Sequence, residues 1–580
     1  MKKLLKILMF AFALTAMFAF TACRGEDTPV VPDEIVEIPE DDIVEVVEGD
    51  PRLIAHGLEI VNIDGENVLR FVDTRDISVA AWNRSPDRMP HISQSYWAAW
   101  IQSEMMRLHN VSVSFVELPR WEEDTVMAGH LAIGNAPDVA FTFQFPVVQN
   151  YADMDGVMNL APLIVNYRDL VPNFYNLQGS DNIWWNRDPQ LGHVWAFAVR
   201  HYDSNLRMAT FVRGDWLETL NMDPPTTRQE FEDMLIAFRD NATLLLGADA
   251  DQMIPFRPTQ DVGWTADPII TSFIPHDITD RQWYVYGFDD RRFTMPGIVD
   301  GVRVLNRWYN EGLIWPNFSL HDANDPIGDD LIMLGVVGAF SSNWDGPFRP
   351  SPGLIVNMQD NVGPHAHFIP VAPFENNAGI VRMQVPHGTD RSIFFPATNS
   401  EPVASLLYLD FISRASTREF LMFGYEDVHF RVDENGIYVA IPSADWPDEM
   451  YIPSLRNFDL LPTFNGIPPL DRPGFISLTR TFEGIDPVIV ADTVNMGLNH
   501  AWVGPRAVTR QVLSEAQFGG GLPAIRDTVL NQAINATVAD FDAVWAAGME
   551  TYMVSGGRAI IEERQAAWVE TFGDTDWLPH

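Results

Sequence analysis

Between Asp76 and Phe143 the sequence alternates between two hydrophobic periods, and this constrains the fold more than any other feature of the chain. "DISVAAWN" (76–83) is a short apolar run bounded by polar residues, the pattern of a buried strand. "SQSYWAAWIQSEMMRLHN" places Trp97, Trp100, Ile101, Met105 and Leu108 on one helical face. "VSVSFVEL" then alternates at Val111, Val113 and Phe115, "RWEEDTVMAGHLAIGN" resumes helical character, and "APDVAFTF" supplies a third short strand. A β-α-β-α-β series predicts an α/β fold with a parallel, doubly wound sheet. With 580 residues, the chain is long enough to divide into two or more lobes.

The N-terminus reads as an export signal. Lys2, Lys3 and Lys6 form a basic start, and Ile7 to Phe20 form an apolar run too short for a stable spanning helix. The small residues Thr21 and Ala22 precede Cys23, the sole cysteine of the chain. This pattern resembles a bacterial lipoprotein signal, which implies removal of residues 1–22 and a diacylglycerol on the Cys23 sulfur. The alternative is a free cysteine buried in an N-terminal anchor helix, and the basic flank and small residues argue against it. With the cysteine consumed by lipid, the mature chain has no thiol for a disulfide, a thiolate metal site or a nucleophile, so the fold rests on its core.

From Arg24 to Asp50 there are eleven acidic residues, three prolines and no aromatic residue. Such a segment buries too little surface to offset its ordering entropy, so residues 23–50 are expected to be an acidic, disordered tether. No later run is long and apolar enough to span a bilayer. The formal net charge of −41 makes nucleic acid a poor partner and suits solubility outside the cell.

Several blocks in order then resemble one family. "AIGNAPDVAFTF", "VRGDWLETLNMDPPTTRQEFEDMLIAF", "LNRWYNEGLIWPNF", "LYLDFISRASTREFLMFGYEDVHFRVDENG" and "NATVADFDAVWAAGMETYMVSGG" resemble family 1 extracellular solute-binding lipoproteins of ABC importers, the class that includes maltose-binding protein. The blocks span about residues 75 to 570. The resemblance implies a two-lobed periplasmic-binding-protein-like fold of type II, each lobe a mixed or parallel sheet flanked by helices, with ligand held in the cleft. It implies a first part of the N-lobe at 51–200, a C-lobe at 201–388, an N-lobe return and crossover at 389–500, and C-terminal helices packing on the lobes at 501–580. Hinge crossovers are expected near 194–205 and 385–399. The function it implies is non-enzymatic: capture of a sugar or oligosaccharide and delivery to an ABC permease, by a monomer anchored through lipid at the extracellular face of the cytoplasmic membrane. A peptide or other polar nutrient stays open as ligand, and a Gram-positive-type surface is the expected setting. No cofactor is implied.

The residues of these blocks also have a physical reading of their own. Thr227 followed by Glu230 is a capping box, and Phe231, Leu235 and Phe238 mark the buried stripe behind it. Trp216, Trp308 and Tyr309 sit at core spacing in helices.

Ligand-binding candidates follow from the rule that sites in open α/β sheets lie beyond the carboxyl ends of strands. That rule selects Trp82, Asn83 and Arg84 after the first strand, then Thr142, Phe143 and Gln144 after the third, with His201 and Tyr202 at the first crossover. In the second lobe "VVGAFSSNWDGPF" reads as a strand ending in Asn343, Trp344 and Asp345, and Asp390 with Arg391 lies at the second crossover. Aromatic faces stack on the C–H faces of sugar rings, while amides, carboxylates and guanidinium groups bond hydroxyls, so the mixture suits a carbohydrate. For any one of these residues, packing or a turn is an equal alternative.

Other motifs are weaker. His365 and His367 in "PHAHF" would share a strand face, which suits a surface pair better than zinc. The acidic stretches 247–252 and 321–330 lack the spacing of an EF-type calcium loop, and "GGGL" at 519–522 lacks the residues of a P-loop. The rival from another class is a surface-anchored glycoside hydrolase with paired carboxylates, since such a pair has no sequence signature.

Overall fold

The computed structural model describes residues 49–83, 92–119, 122–143, 145–187, 192–201, 208–322, 325–349, 352–384, 389–432, 434, 438–447, 450, 460, 462–465, 482, 484–505, 507, 509 and 512–578. Cys23, the signal segment and nearly all of the expected tether lie outside them. Asp50 does not behave as tether. Its carboxylate accepts the Arg52 backbone N–H at 2.8 Å and caps the short helix Pro51–His56, while Arg52 pairs with both Asp50 and Asp169. Composition had assigned Asp50 to the acidic run, but a cap and a bridge to residue 169 fasten it to the folded lobe.

A hairpin opens the first lobe, β1 (Leu58–Ile63) and β2 (Glu66–Phe71). Its two-residue turn, Asp64 and Gly65, has φ of 55° and 92°, the left-handed conformations that such a loop requires. The predicted alternation then appears as β3 (Arg75–Asn83), α1 (Tyr96–His109), β4 (Val111–Pro119), α2 (Glu123–Ala132) and β5 (Ala140–Thr142), followed by α3 (Phe145–Asp153). β3 and β4 run parallel from the Arg75–Val111 pair to the Asn83–Pro119 pair, and a parallel bridge from Val79 to Val139 sets β5 against the other side of β3. Ser95 caps α1 by accepting the Ala98 N–H. Trp97, Ile101, Met105 and Leu108 are buried as the periodicity predicts, while Trp100 is half-buried with its ring 4.2 Å from that of Phe420.

After β6 (Phe197–His201) the chain enters the second lobe at β7 (Met208–Arg213), followed by α4 (Gly214–Leu220), α5 (Arg228–Asp240), β8 (Ile254–Phe256), α6 (Asp280–Tyr286), α7 (Ile298–Asn310), β9 (Val337–Asn343), β10 (Phe368–Val371) and β11 (Met383–Gln384). Four of these strands form a mixed sheet in the order β10-β7-β9-β8. The Thr227–Glu230 capping box is present at α5, and Phe231, Leu235 and Phe238 are fully buried. Trp216 and Trp308 are core residues, with Tyr309 packed at the edge of the same core. His365 is exposed in the turn before β10, so it and His367 do not share a strand.

The chain returns to the first lobe as β12 (Thr389–Phe394), α8 (Pro402–Ser413), α9 (Ala415–Phe423) and β13 (Phe464–Asn465). β12 lies antiparallel between β5 and β6, and β13 is parallel to β6, so the first sheet runs β13-β6-β12-β5 with β3 and β4 beyond. A third crossing then leads back to the second lobe, through α10 (Pro487–His500), β14 (Ala501–Trp502), α11 (Leu513–Phe518), α12 (Leu522–Asn535), α13 (Phe541–Tyr552) and α14 (Arg558–Phe572).

Two separate cores follow from this path. Ile77, Trp97, Phe141, Phe197, Phe394, Tyr408 and Leu460 belong to one, and Phe211, Phe231, Trp308, Phe340, Phe482, Val494 and Leu530 to the other. Residues 389–500 are therefore shared between the lobes, because Val490 and Val494 of α10 pack in the second core. α12 and α13 build the back of that core, and α11 reaches across to touch α3 of the first lobe. Among the described residues no helix is long and apolar enough to cross a membrane.

Candidate ligand cleft

Both sheets present one edge to the crossings, and those edges carry the candidate site. In the first lobe β3 ends at Asn83, β5 at Thr142 and β6 at His201, and the antiparallel β12 starts beside them. The register sets Ser392 opposite Thr142 and Ile393 opposite Phe141. It also brings three of the sequence-predicted residues into one cluster. The indole of Trp82 stacks on Phe143 at 4.5 Å and meets Phe141 edge-on at 5.9 Å. The Arg391 guanidinium lies 5.2 Å from the Phe143 ring and 5.6 Å from Phe141, within cation–π range. Trp82 and Arg391 are 4% exposed, so Phe143, half-buried at the rim, is the accessible member.

Thr142 turns away from this cluster. It is buried and its hydroxyl bonds the Asp124 carboxyl, which burial pushes up in pKa and that hydrogen bond partly pulls back. Asn83, His201 and Asp390 are placed in strands at the cleft edge, with nothing described of their side chains. Arg84, Gln144 and Tyr202 lie outside the described residues.

In the second lobe the cleft edge begins at Met208, the first residue after a crossing, which pairs with Asn343 at the end of β9. Asn343 is half-buried there. Trp344 and Asp345 instead face inward: Trp344 meets Phe482 edge-on at 6.3 Å in the core, and Asp345 accepts the Arg349 guanidinium at 2.8 Å. The strand-end rule overshoots here because a 3₁₀ turn, Gly346–Phe348, folds the chain back onto the core straight after β9.

Beside Met208 a shallow groove is lined by Thr210, Asp267, Thr271, Phe374, Arg382 and Met383 among others. It adjoins a second hollow that shares Thr271, Phe374 and Arg382 and adds Arg292, Asn376, Trp283 and Trp502. Gly301 of α7 makes this wall possible. A Cβ there would stand 2.7 Å from the Ile270 Cα, so only glycine lets α7 approach the 267–271 segment so closely. Asp267 is buried and salt-bridged to Arg292 at 2.7 Å. Trp283 and Trp502 meet edge-on at 4.6 Å, and the Arg382 guanidinium lies 4.9 Å from the Trp502 ring.

None of these groove residues was singled out in the sequence. They come from stretches far apart in the chain, and only the position of Arg382 and Met383 just before the second crossover was a usable signal.

No family model matches the sequence, and no curated protein does. Solved structures do match. The fold is similar to that of the alginate-binding protein AlgQ2, with a TM-score of 0.60 at 17% identity, covering 86% of this chain and 98% of that one. It is similar to an HMO-binding, ABC-transporter-associated solute-binding protein from Bifidobacterium longum infantis, with a TM-score of 0.57 at 14% identity over 86% and 99%. It is also similar to the S. pneumoniae ABC-transporter substrate-binding protein FusA in complex with kestose, with a TM-score of 0.58 at 12% identity over 86% and 100%. Likeness over nearly the whole of each neighbour, at identities this low, establishes the architecture: the chain has the two-lobed α/β fold of ABC-transporter solute-binding proteins.

Proposed function

We propose that this protein is a lipid-anchored, extracellular receptor that captures an oligosaccharide between its lobes and delivers it to an ABC permease without altering it. The observation that carries this reading is the half-buried Phe143 ring, backed by Trp82 and Arg391 on the crossing edge of the first lobe, together with the half-buried Trp502 ring, backed by Trp283, in the hollow that adjoins the second lobe's groove. An accessible ring in each lobe, Phe143 and Trp502, suits a ligand built of sugar rings, whose C–H faces stack and whose hydroxyls bond polar groups at the rim. The neighbours of like fold include binding proteins for alginate and for HMO, and one seen with kestose, which supports a saccharide as ligand. The lipid on Cys23 keeps the receptor at the membrane surface, where a permease reads the closed form.

A hydrolase needs two carboxylates flanking the scissile bond. Among the described residues that line the groove the carboxylate is that of Asp267, which is committed to Arg292, so the geometry favours binding.

The test is a thermal-shift screen of the full chain against neutral and acidic oligosaccharides and peptides, followed by chromatography of any hit after long incubation. A saccharide that raises the midpoint and is recovered intact supports the receptor, because a ligand that binds the native state stabilises it by mass action. A cleaved saccharide replaces the receptor with the hydrolase, and stabilisation by peptides alone discards the saccharide.

A further inference from the structure

We infer that the second-lobe groove is an acid-selective subsite, built to hold a carboxylate carried on a saccharide; this rests on the saccharide-receptor reading above and narrows its ligand class.

Three donors converge on one hollow. Arg292 is 4% exposed, and one of its guanidinium nitrogens, Nη2, is spent on Asp267 at 2.7 Å, while its Nε–H is buried with no acceptor among the described residues. Asn376 is 6% exposed and its amide orientation is fixed, since Oδ1 accepts the backbone N–H groups of Ala378 at 2.9 Å and Ile380 at 3.2 Å. Its Nδ2 is therefore the free donor, and it too is buried without an acceptor among the described residues. Arg382 bonds the His276 carbonyl at 2.8 Å and lies over Trp502, but no carboxylate among the described residues pairs with it. Among the described residues, a guanidinium without a carboxylate partner is notable in a chain of net charge −41.

Among the described residues, the carboxylate and hydroxyls beside the hollow are already engaged. The Asp267 carboxylate is salt-bridged to Arg292, and the hydroxyls of Thr271 and Ser272 donate to backbone carbonyls of Asp267 and Ile269. What the hollow offers is the Arg382 guanidinium, without a carboxylate among the described residues, beside the half-buried ring of Trp502, with the buried N–H groups of Arg292 and Asn376 and the buried rings of Trp283 and Phe374 in its wall. Donors without acceptors select a group that only accepts, and a planar carboxylate meets a guanidinium in two parallel hydrogen bonds. A neutral sugar hydroxyl bonds these donors less strongly and leaves the charge of Arg382 unmatched. The flat face of Trp502 favours a carboxylate carried on a ring, as in a uronic acid.

The experiment is calorimetry on the full chain with uronate trisaccharides of several epimers, each paired with its carboxyl-reduced neutral twin. At least one acidic member is expected to bind about tenfold or more tighter than its twin, the size of a lost charge-assisted pair. Arg382→Gln is expected to remove most of that advantage, weakening the acid about tenfold more than its twin. Asn376→Asp keeps the two accepted backbone bonds but turns the donor into an anionic acceptor, and is expected to abolish acid binding. The inference is overturned if twins bind as tightly as acids, if Arg382→Gln weakens both alike, or if acetate binds as well as the uronates. A chain that binds only neutral saccharides loses the inference and keeps the receptor, whereas a chain that binds peptides and no saccharide loses both.

Discussion

Trp82 and Phe143 stack with ring centroids 4.5 Å apart and planes inclined by 26°, one at the end of β3 and the other just past β5. The pair joins two strands that are neighbours in the sheet but lie sixty residues apart in the chain, and it divides the labour between them. Trp82, buried, secures the edge of the first core, and Phe143, half-buried, offers a face.

Substituting the two therefore separates stability from binding. Phe143→Ala is expected to weaken saccharide binding about five- to tenfold with a small change in unfolding free energy. Trp82→Ala removes a core side chain and is expected to cost about 3–5 kcal/mol of stability. Urea unfolding and calorimetry on both variants decide the matter; equal losses of stability would show that Phe143 is a packing residue only.

Arg213 is the largest buried cation of the second lobe's "VRGDWL" block. Its Nε and Nη2 donate to Asp215 at 2.8 and 2.7 Å, Nη1 donates to the Gly335 carbonyl at 2.7 Å, and the guanidinium lies 4.5 Å from the Trp216 ring. Arg213→Met leaves the Asp215 carboxylate buried and unpaired, an expected loss of about 3–5 kcal/mol. The double variant Arg213→Met, Asp215→Ala removes the stranded charge and is expected to be less destabilised than the single one in urea unfolding.

His109 gives the first lobe an acid limit. Burial, reinforced by the nearby Arg414 guanidinium, pulls its pKa from 6.5 down to about 4. The ring sits 2.7 Å from the Leu69 carbonyl through Nδ1, and Nε2 lies 3.2 Å from Arg414 Nη2, an arrangement satisfied by a neutral imidazole that donates from Nδ1 and accepts at Nε2. The unfolded chain takes up the proton near pH 6.5 and the folded lobe does not until about pH 4, so this contribution to stability is complete above pH 6.5 and is lost as pH falls to 4. The loss amounts to about 3 kcal/mol. Urea midpoints measured from pH 7.5 to 4 are expected to show this slope in the wild type and a flatter one in His109→Gln.

Thr227 closes the capping box of α5, its Oγ1 accepting the Glu230 N–H at 3.2 Å while Glu230 accepts the Thr227 N–H at 3.1 Å. Thr227→Ala is expected to destabilise the second lobe by about 1 kcal/mol, whereas Thr227→Ser is expected to stay near wild type. A loss of equal size from Thr227→Ser in thermal unfolding would point to the methyl group's packing instead.

The sequence by itself determined the local elements and the direction of their apolar faces. Period 2 in "VSVSFVEL", the stripe of Trp97, Ile101 and Met105, and the Thr227–Glu230 pair are each written within a few residues, because strand pleat, helix pitch and capping are set by neighbours in the chain. The strand-end rule led to Trp82 and Phe143 and the second crossover to Arg391, which the structure brings into one cluster, since the carboxyl end of a parallel strand marks the sheet edge wherever the sheet lies. Only the tertiary structure decided the rest. It turned Thr142 to Asp124 and Trp344 to Phe482, sent α10 to the second core after a third crossing, and gathered Asp267, Arg292, Asn376, Arg382 and Trp502 around two adjoining hollows. The physical reason is that burial and donor satisfaction depend on which distant segments meet, and no local period records the meeting of residue 267 with residue 382 or 502.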